Sequence, residues 1–264
     1  MPTLRHAALA IAGLLIAPAW AHATGCFPVA QAPARLQLAA YQQTAIPAGA
    51  TLQLTFLGHS SFLIETARGV TAVTDYNDHV GAPVTPDVVT MNNAHDSHYT
   101  HLVDPAVKHV LRGWSPAGGE AVHDVTLEDL RVRNVPTSVH GRSGAQGNSN
   151  SIFVFEVADL CVAHLGHLHH ELTRDHLGDL GQINVLLVPI DGAYTMAQDQ
   201  MARVLDQVGA PLVIPMHYFG GSTLGRFLEL VEGRYEVAFS ESPTVALSRA
   251  TLPSGRRVLV LPGR

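Results

Sequence analysis

Cationic side chains are scarce in this 264-residue chain: Lys and Arg total 16 against 22 Asp and Glu, a formal net charge of −6 with histidines neutral. Phosphate binding needs clustered Lys and Arg, and the chain has no such run, so nucleic acid is excluded as a partner class. Charged residues amount to only 14% and hydrophobic ones to 47%, which excludes disorder and indicates a well-buried core in one large domain or two small ones. There are two cysteines, Cys26 and Cys161, enough for one disulfide. Cys161 lies in an apolar, strand-like run and reads first as a buried thiol. A nucleophile elbow, a P-loop and a dinucleotide fingerprint are all missing; the Gly141 to Gly147 stretch follows no strand-to-helix turn and is not continued by Lys-Ser. No internal repeat is visible.

The chain also lacks an apolar run of the about 20 residues that a membrane span requires. The stretch Ala7 to Ala19 is shorter, is broken by Pro18, follows a basic segment containing Arg5 and precedes Ala21-His22-Ala23, an A-x-A cleavage signal. Residues 1–23 therefore read as a signal peptide, with Thr24 as the mature N-terminus and a periplasmic or secreted product. Ala23-Thr24-Gly25-Cys26 is a poor lipobox, and a lipid anchor at Cys26 stands as the alternative. Residues 24–50, rich in Ala, Pro and Gln without a sustained period, read as an N-terminal arm or tether.

Residues 51–264 carry the fold. Thr51 to Leu57, Ser61 to Thr66, Val70 to Thr74 and Asp87 to Met91 read as strands, followed by Arg131 to Val139, Ser151 to Val157, Leu160 to Leu165 and Val185 to Pro189. Gly141 to Asn150 between them reads as a polar loop. A helix over Met196 to Val208 presents Met201, Val204 and Leu205 on one face; the strand Pro211 to Pro215, a helix near Leu224 to Val231 and three short strands complete the chain. Strands first, then strands mixed with amphipathic helices, predict an α/β fold: a four-layer αββα sandwich, two sheets face to face with helices outside.

What the chain has in quantity is histidine, 16 residues. His95, His98, His140, His167 and His217 each follow an apolar, strand-like run. Neutral imidazole offers a lone pair near neutral pH, and ligands gathered from several strand ends converge on one ion when the strands share a sheet edge.

Phe56-Leu57-Gly58-His59-Ser60-Ser61-Phe62-Leu63-Ile64, Val73-Thr74-Asp75, the segment Val88 to His98, His140, Ala163-His164-Leu165-Gly166 and Ile214-Pro215-Met216-His217 occur in an order and spacing that resembles the metallo-β-lactamase superfamily. The branch it is most similar to holds ascorbate-6-phosphate lactonase and related metal-dependent hydrolases. The family's His-x-His-x-Asp-His signature is altered here: an ungapped match gives Asn93, His95, Ser97 and His98. His140 and His217 match further family ligands, and the usual bridging Asp is replaced by His167. Two cations roughly 3.5 to 4 Å apart need anionic ligands between them, so the loss of both carboxylates predicts a single ion.

The resemblance implies a metal site drawn from His95, His98, His140, His167 and His217, with Asn93 as a poorer oxygen donor. Zinc is the expected metal, one ion per chain, with Mn and Fe as alternatives. His169 and His170 are substitutes for His167, and Asp96 is the one nearby carboxylate. His59 and Asp75 lie where buried polar supports are expected, and Tyr99 and Tyr218 are candidates to line the pocket. The implied activity is that of an exported metal-dependent hydrolase using a metal-activated water on a lactone, ester, amide or phosphodiester, a small-molecule substrate. His98 is the remaining candidate for general base. The alternative is a non-catalytic metal- or ligand-binding protein on the same fold.

Overall fold

The computed structural model describes residues 46–141 and 144–263. The proposed signal segment, Cys26 and most of the arm fall outside these residues, as does the side chain of His140. Fourteen strands and three α-helices follow in order: β1 Leu52–Gly58, β2 Ser61–Thr66, β3 Thr71–Val73, β4 Val88–Met91, β5 His109–Arg112, β6 Asp124–Leu127, β7 Leu130–Gly141, β8 Gly144–Val157, β9 Leu160–His164, α1 Arg174–Leu180, β10 Val185–Pro189, α2 Gln198–Val208, β11 Leu212–Met216, α3 Gly221–Val231, β12 Glu236–Phe239, β13 Thr244–Leu247 and β14 Arg257–Val260.

Two mixed sheets result, one of six strands in the order β13-β1-β2-β3-β4-β5 and one of eight in the order β12-β14-β11-β10-β9-β8-β7-β6. Strands β9, β10 and β11 run parallel and are buried on both faces, hence their unbroken apolar sequences. One face of the larger sheet meets the smaller one: Leu54, Phe62, Ile64 and Val88 pack against Phe153, Phe155, Leu187 and Ile214. Its other face is covered by helices, with Met201, Val204 and Leu205 of α2 and Phe227 and Val231 of α3 against Val154, Val188 and Val213. The predicted α/β sandwich is therefore present. On the far side of the smaller sheet, Leu63, Val73 and Met91 are covered by Tyr76, Val80, Tyr99, Val107 and Trp114, all from connecting segments rather than from a helix.

Two expectations are corrected. The Gly141 to Asn150 segment is not a free loop, because β8 begins at Gly144 and pairs with β7 across it. Backbone pairing tolerates its Gly, Ser and Asn content because Asn150 pins it, donating from Nδ2 to Thr137 Oγ1 at 2.7 Å. Cys161, buried in β9, is disulfide-bonded rather than a free thiol. No helix of the described residues is long and apolar enough to cross a membrane.

After β9 the chain turns at Gly166, whose φ of +59° is left-handed; a Cβ there would lie 2.5 Å from Asn92 Cβ and Nδ2. Gly178, inside α1, has nothing within 4 Å of such a Cβ. Gly166→Ala should therefore lower stability by about 2–4 kcal/mol, combining left-handed strain with overpacking. Gly178→Ala should raise it by about 0.5–1 kcal/mol. Urea denaturation midpoints at constant m-value check both signs, and equal effects at the two positions would refute the packing argument.

Candidate metal centre

The parallel strands of the two sheets end at one edge, and hydrogen bonds tie the sheets together there. His217 N donates to His59 O at 2.7 Å, His164 Nε2 donates to Ser60 O at 2.7 Å, and Asn92 Nδ2 donates to Ser151 O at 2.7 Å. His59, Asp75 and His217 all adopt left-handed backbone angles, with φ of 51°, 44° and 53°. Each lies just past a strand end, so the chain turns sharply while its side chain faces the edge. Such conformations cost about 1–2 kcal/mol each in a non-glycine residue and persist where surrounding contacts over-determine them.

His98 and His217 are fully or almost fully buried and their rings stack at 5.1 Å between centroids. Nδ1 of His98 donates to Asp75 Oδ2 at 2.7 Å, and Nδ1 of His217 donates to Asp191 Oδ1 at 3.0 Å. With both protons committed outward, the two Nε2 atoms face one another at 3.2 Å. Two imidazole lone pairs at that distance repel unless a proton or a metal cation lies between them. His59 joins them: one ligand atom from each of His59, His98 and His217 lies within 4.8 Å of the others, a grouping able to hold a metal ion. His59 is oriented by Ser60, whose Oγ is 2.9 Å from its Nδ1.

Burial, followed by the proximity of His217 and His98, lowers the His59 pKa to about 4. Burial and then His98, His217 and His169 lower that of His167 to about 2. Both are neutral near pH 7, the form that binds metal. Burial on its own raises a carboxylate's pKa; at Asp75 the pull of His98, then of His164, and the hydrogen bonds from His98 and the Asn92 backbone reverse this and hold the group below its ordinary range. Asp191 is likewise lowered against its burial, by hydrogen bonds from His217, Thr195 and Ala193. His98 and His217 are thus each backed by an anion, charge that the family signature positions do not supply.

Of the residues singled out from sequence, the structure brings His98, His167 and His217 together. The His167 ring lies 4.7 Å from that of His98 and 5.5 Å from that of His217, with Nδ1 2.8 Å from His169 Nε2. His95 is at the rim, its side chain 61% exposed and its ring 6.0 Å from His98 and 6.1 Å from His167. Asn93 donates from Nδ2 to Ser149 O at 2.7 Å, a tie between the sheets. His140 lies in β7, paired with Ala145. His170 is turned away: its Nε2 accepts from Ser138 N and its Nδ1 donates to Glu171 O. Asp96 is exposed beside His95. Tyr99 packs on Trp114 and Tyr218 against the helix-side core, and neither lines the cavity over the site.

Asp191 was missed by sequence reasoning, and His59 was assigned only a supporting role. Asp191 lies two residues past the end of β10 in an Asp-Gly pair that reads as turn chemistry, so its signal is a carboxylate just beyond an apolar strand.

Residues 53–217 match the beta-lactamase superfamily domain. A protein from Thermotoga maritima, described as a zinc-dependent hydrolase of the metallo-β-lactamase superfamily, is 30% identical, covers 81% of this chain over its own full length and superposes with a TM-score of 0.61. The chain belongs to the metallo-β-lactamase superfamily. Proteins named metal-dependent hydrolases from Methanoculleus marisnigri and Salinibacter ruber are 26% and 27% identical, matching 63% and 71% of this chain and 81% and 93% of their own lengths.

Asp191 accepts from Ala193 N, Tyr194 N, Thr195 N, Thr195 Oγ1 and His217 Nδ1. Asp191→Ala strands five donors, and should lower the stability of chelator-treated protein by about 3–5 kcal/mol. Asp96→Ala, at an exposed site, should stay within about 0.5 kcal/mol of the parent. Chemical denaturation measures both, and a small loss at Asp191 would show that the loop is not held by this carboxylate.

Proposed function

We propose that this chain is a metal-dependent hydrolase with one ion per chain, held by His59, His98 and His217 with His167 beside them. The facing Nε2 atoms of His98 and His217, each backed by a buried carboxylate, carry the reading. Three imidazoles suit zinc, and the Thermotoga maritima relative's description as a zinc-dependent hydrolase supports that choice. When bound, a zinc ion supplies Lewis acidity and lowers the pKa of a coordinated water to about 7.

The protein's own residues do the rest. Asp75 and Asp191 fix the tautomers of His98 and His217 and balance a dication with two negative charges, which favours one ion over two. Both nitrogens of His98 are committed, one to Asp75 and one toward His217, so His98 is assigned here as a ligand and not as the proton carrier. His95, exposed at the rim of the cavity, is assigned as the side chain that meets entering water. The overall reaction is addition of water across an acyl bond, giving an acid and an alcohol or amine. Export with cleavage after Ala23 accompanies the proposal, supported by the basic segment, the short apolar run and the A-x-A signal; an intact mass beginning at Thr24 checks it.

Elemental analysis of purified protein should find about one zinc per chain. His98→Ala and His217→Ala should each abolish retention through gel filtration, His59→Ala should weaken it strongly, and His170→Ala should leave it at the parental level. Asp75→Asn should lower metal affinity about 10- to 100-fold. Hydrolysis of aryl esters and lactones should stop with chelator and return with zinc. Two stoichiometric ions, or full occupancy in His59→Ala together with loss in His140→Ala, would overturn the ligand set. Tightly bound metal without hydrolysis of any acyl substrate would turn the reading to a binding protein.

A further inference from the structure

A cavity of about 370 Å³ opens over the metal centre, with His59 and His217 at its floor and Asn77, Val80, Tyr194 and Phe219 on its walls. Two features distinguish it. Tyr194 and Phe219 are among the few large hydrophobic side chains left in solvent, 67% and 65% exposed, and they meet edge to face with ring centroids 5.8 Å apart. Among the described residues no Lys, Arg, Asp or Glu lines the cavity.

The aromatic pair is not a loosely hanging surface patch. The Phe219 ring lies 5.7 Å from His217 and 5.8 Å from His59. The backbone N–H of Tyr194 donates to Asp191, the carboxylate that orients His217. One ring thus follows a proposed ligand by two residues and the other is pinned by that ligand's own support. Apolar surface of this size left in water is unfavourable, and a cavity edge is where a ligand would cover it.

We propose that Tyr194 and Phe219 form a clamp for the apolar part of the substrate, and that the substrate is an uncharged ester or lactone with an aryl or alkyl group. The inference rests on the hydrolase reading above. A phosphodiester or a carboxylate-bearing substrate keeps an anionic oxygen away from the metal, and such oxygens are bound by Arg or Lys side chains, which the described residues lining this cavity do not include. The negative net charge of the chain also disfavours approach of anions.

Binding and turnover are measured separately on metal-loaded protein. The binding probe is 4-phenyl-2-butanone, a neutral ketone that cannot be hydrolysed, followed by saturation-transfer NMR titration. The turnover probes are 4-nitrophenyl butyrate and bis(4-nitrophenyl) phosphate, which share a leaving group. The parent protein should bind the ketone, and Tyr194→Ser and Phe219→Ser should each weaken binding about 10-fold. For the ester, each should raise KM by a similar factor with kcat changed less than about threefold and zinc content unchanged. Phe239→Ser, at an exposed phenylalanine on β12 away from the cavity, is the control and should match the parent. The phosphodiester should be turned over at least about 100-fold less efficiently than the ester. Ketone binding that depends on both rings, without hydrolysis of any probe, would sustain the clamp while removing the hydrolase reading. Ring variants indistinguishable from the parent in ketone affinity, absence of ketone binding, or a preference for the phosphodiester would each overturn the proposal.

Discussion

Two carboxylates buried at the sheet edge, each accepting the Nδ1 proton of one histidine, are the constraint around which this end of the molecule is organised. A carboxylate removed from water is tolerated only when its lone pairs are matched by donors. Asp75 meets this with His98 on Oδ2 and the Asn92 backbone on Oδ1. Asp191 meets it with three consecutive backbone N–H groups, a threonine hydroxyl and His217. Satisfying those carboxylates fixes the ring orientations, and fixed rings leave two Nε2 atoms at 3.2 Å in need of a cation. The left-handed backbone at His59, Asp75 and His217 is the accompanying strain, offset by contacts that cross from one sheet to the other.

The sandwich is legible in the sequence because its deepest strands carry the strongest signal. β9, β10 and β11 are buried throughout and read as unbroken apolar runs, and α2 shows its Met201, Val204 and Leu205 stripe. What escaped notice is short or held by tertiary contacts. β5 and β6 have four residues each and lie largely outside the core, so neither offers a period to detect. Helix α1 buries only Leu180, and its capping box uses His176 where Glu or Gln is the usual signal. The Gly/Ser/Asn segment before Ile152 pairs through its backbone, and Asn150 reaches both Thr137 and the turn after β9, where it accepts from His167 N.

The site is legible to a different degree. His98 and His217 are found from sequence because each follows a strand that ends at the common edge. His59 is harder to find, because Gly58-His59-Ser60 looks like an ordinary hairpin turn until the antiparallel β1 and β2 place it beside β11. Asp191 is harder still: its partner His217 is 26 positions away and becomes a neighbour only because β10 and β11 run parallel in register. The charge at the site is hidden from the sequence for the same reason. At the positions of the family signature Asn93 and Ser97 carry no charge, whereas the negative charge stands behind the histidines, on Asp75 and Asp191.

Asp191 also joins the metal centre to the cavity above it. Its Oδ1 holds the imidazole of His217 while its Oδ2 gathers the amides of residues 193 to 195, so the position of the Tyr194 backbone and the angle of the His217 ring share one carboxylate. Phe219 extends the same coupling from the other side, because it follows His217 by two residues and packs its ring near that histidine. A displacement of the 191 to 195 turn therefore cannot alter the aromatic wall alone; it must also rotate a proposed ligand. Such a turn is constrained twice, by the tautomer it imposes below and by the ring it places above, which is a physical reason for a buried carboxylate at a position where simple turn chemistry would be satisfied by many other residues.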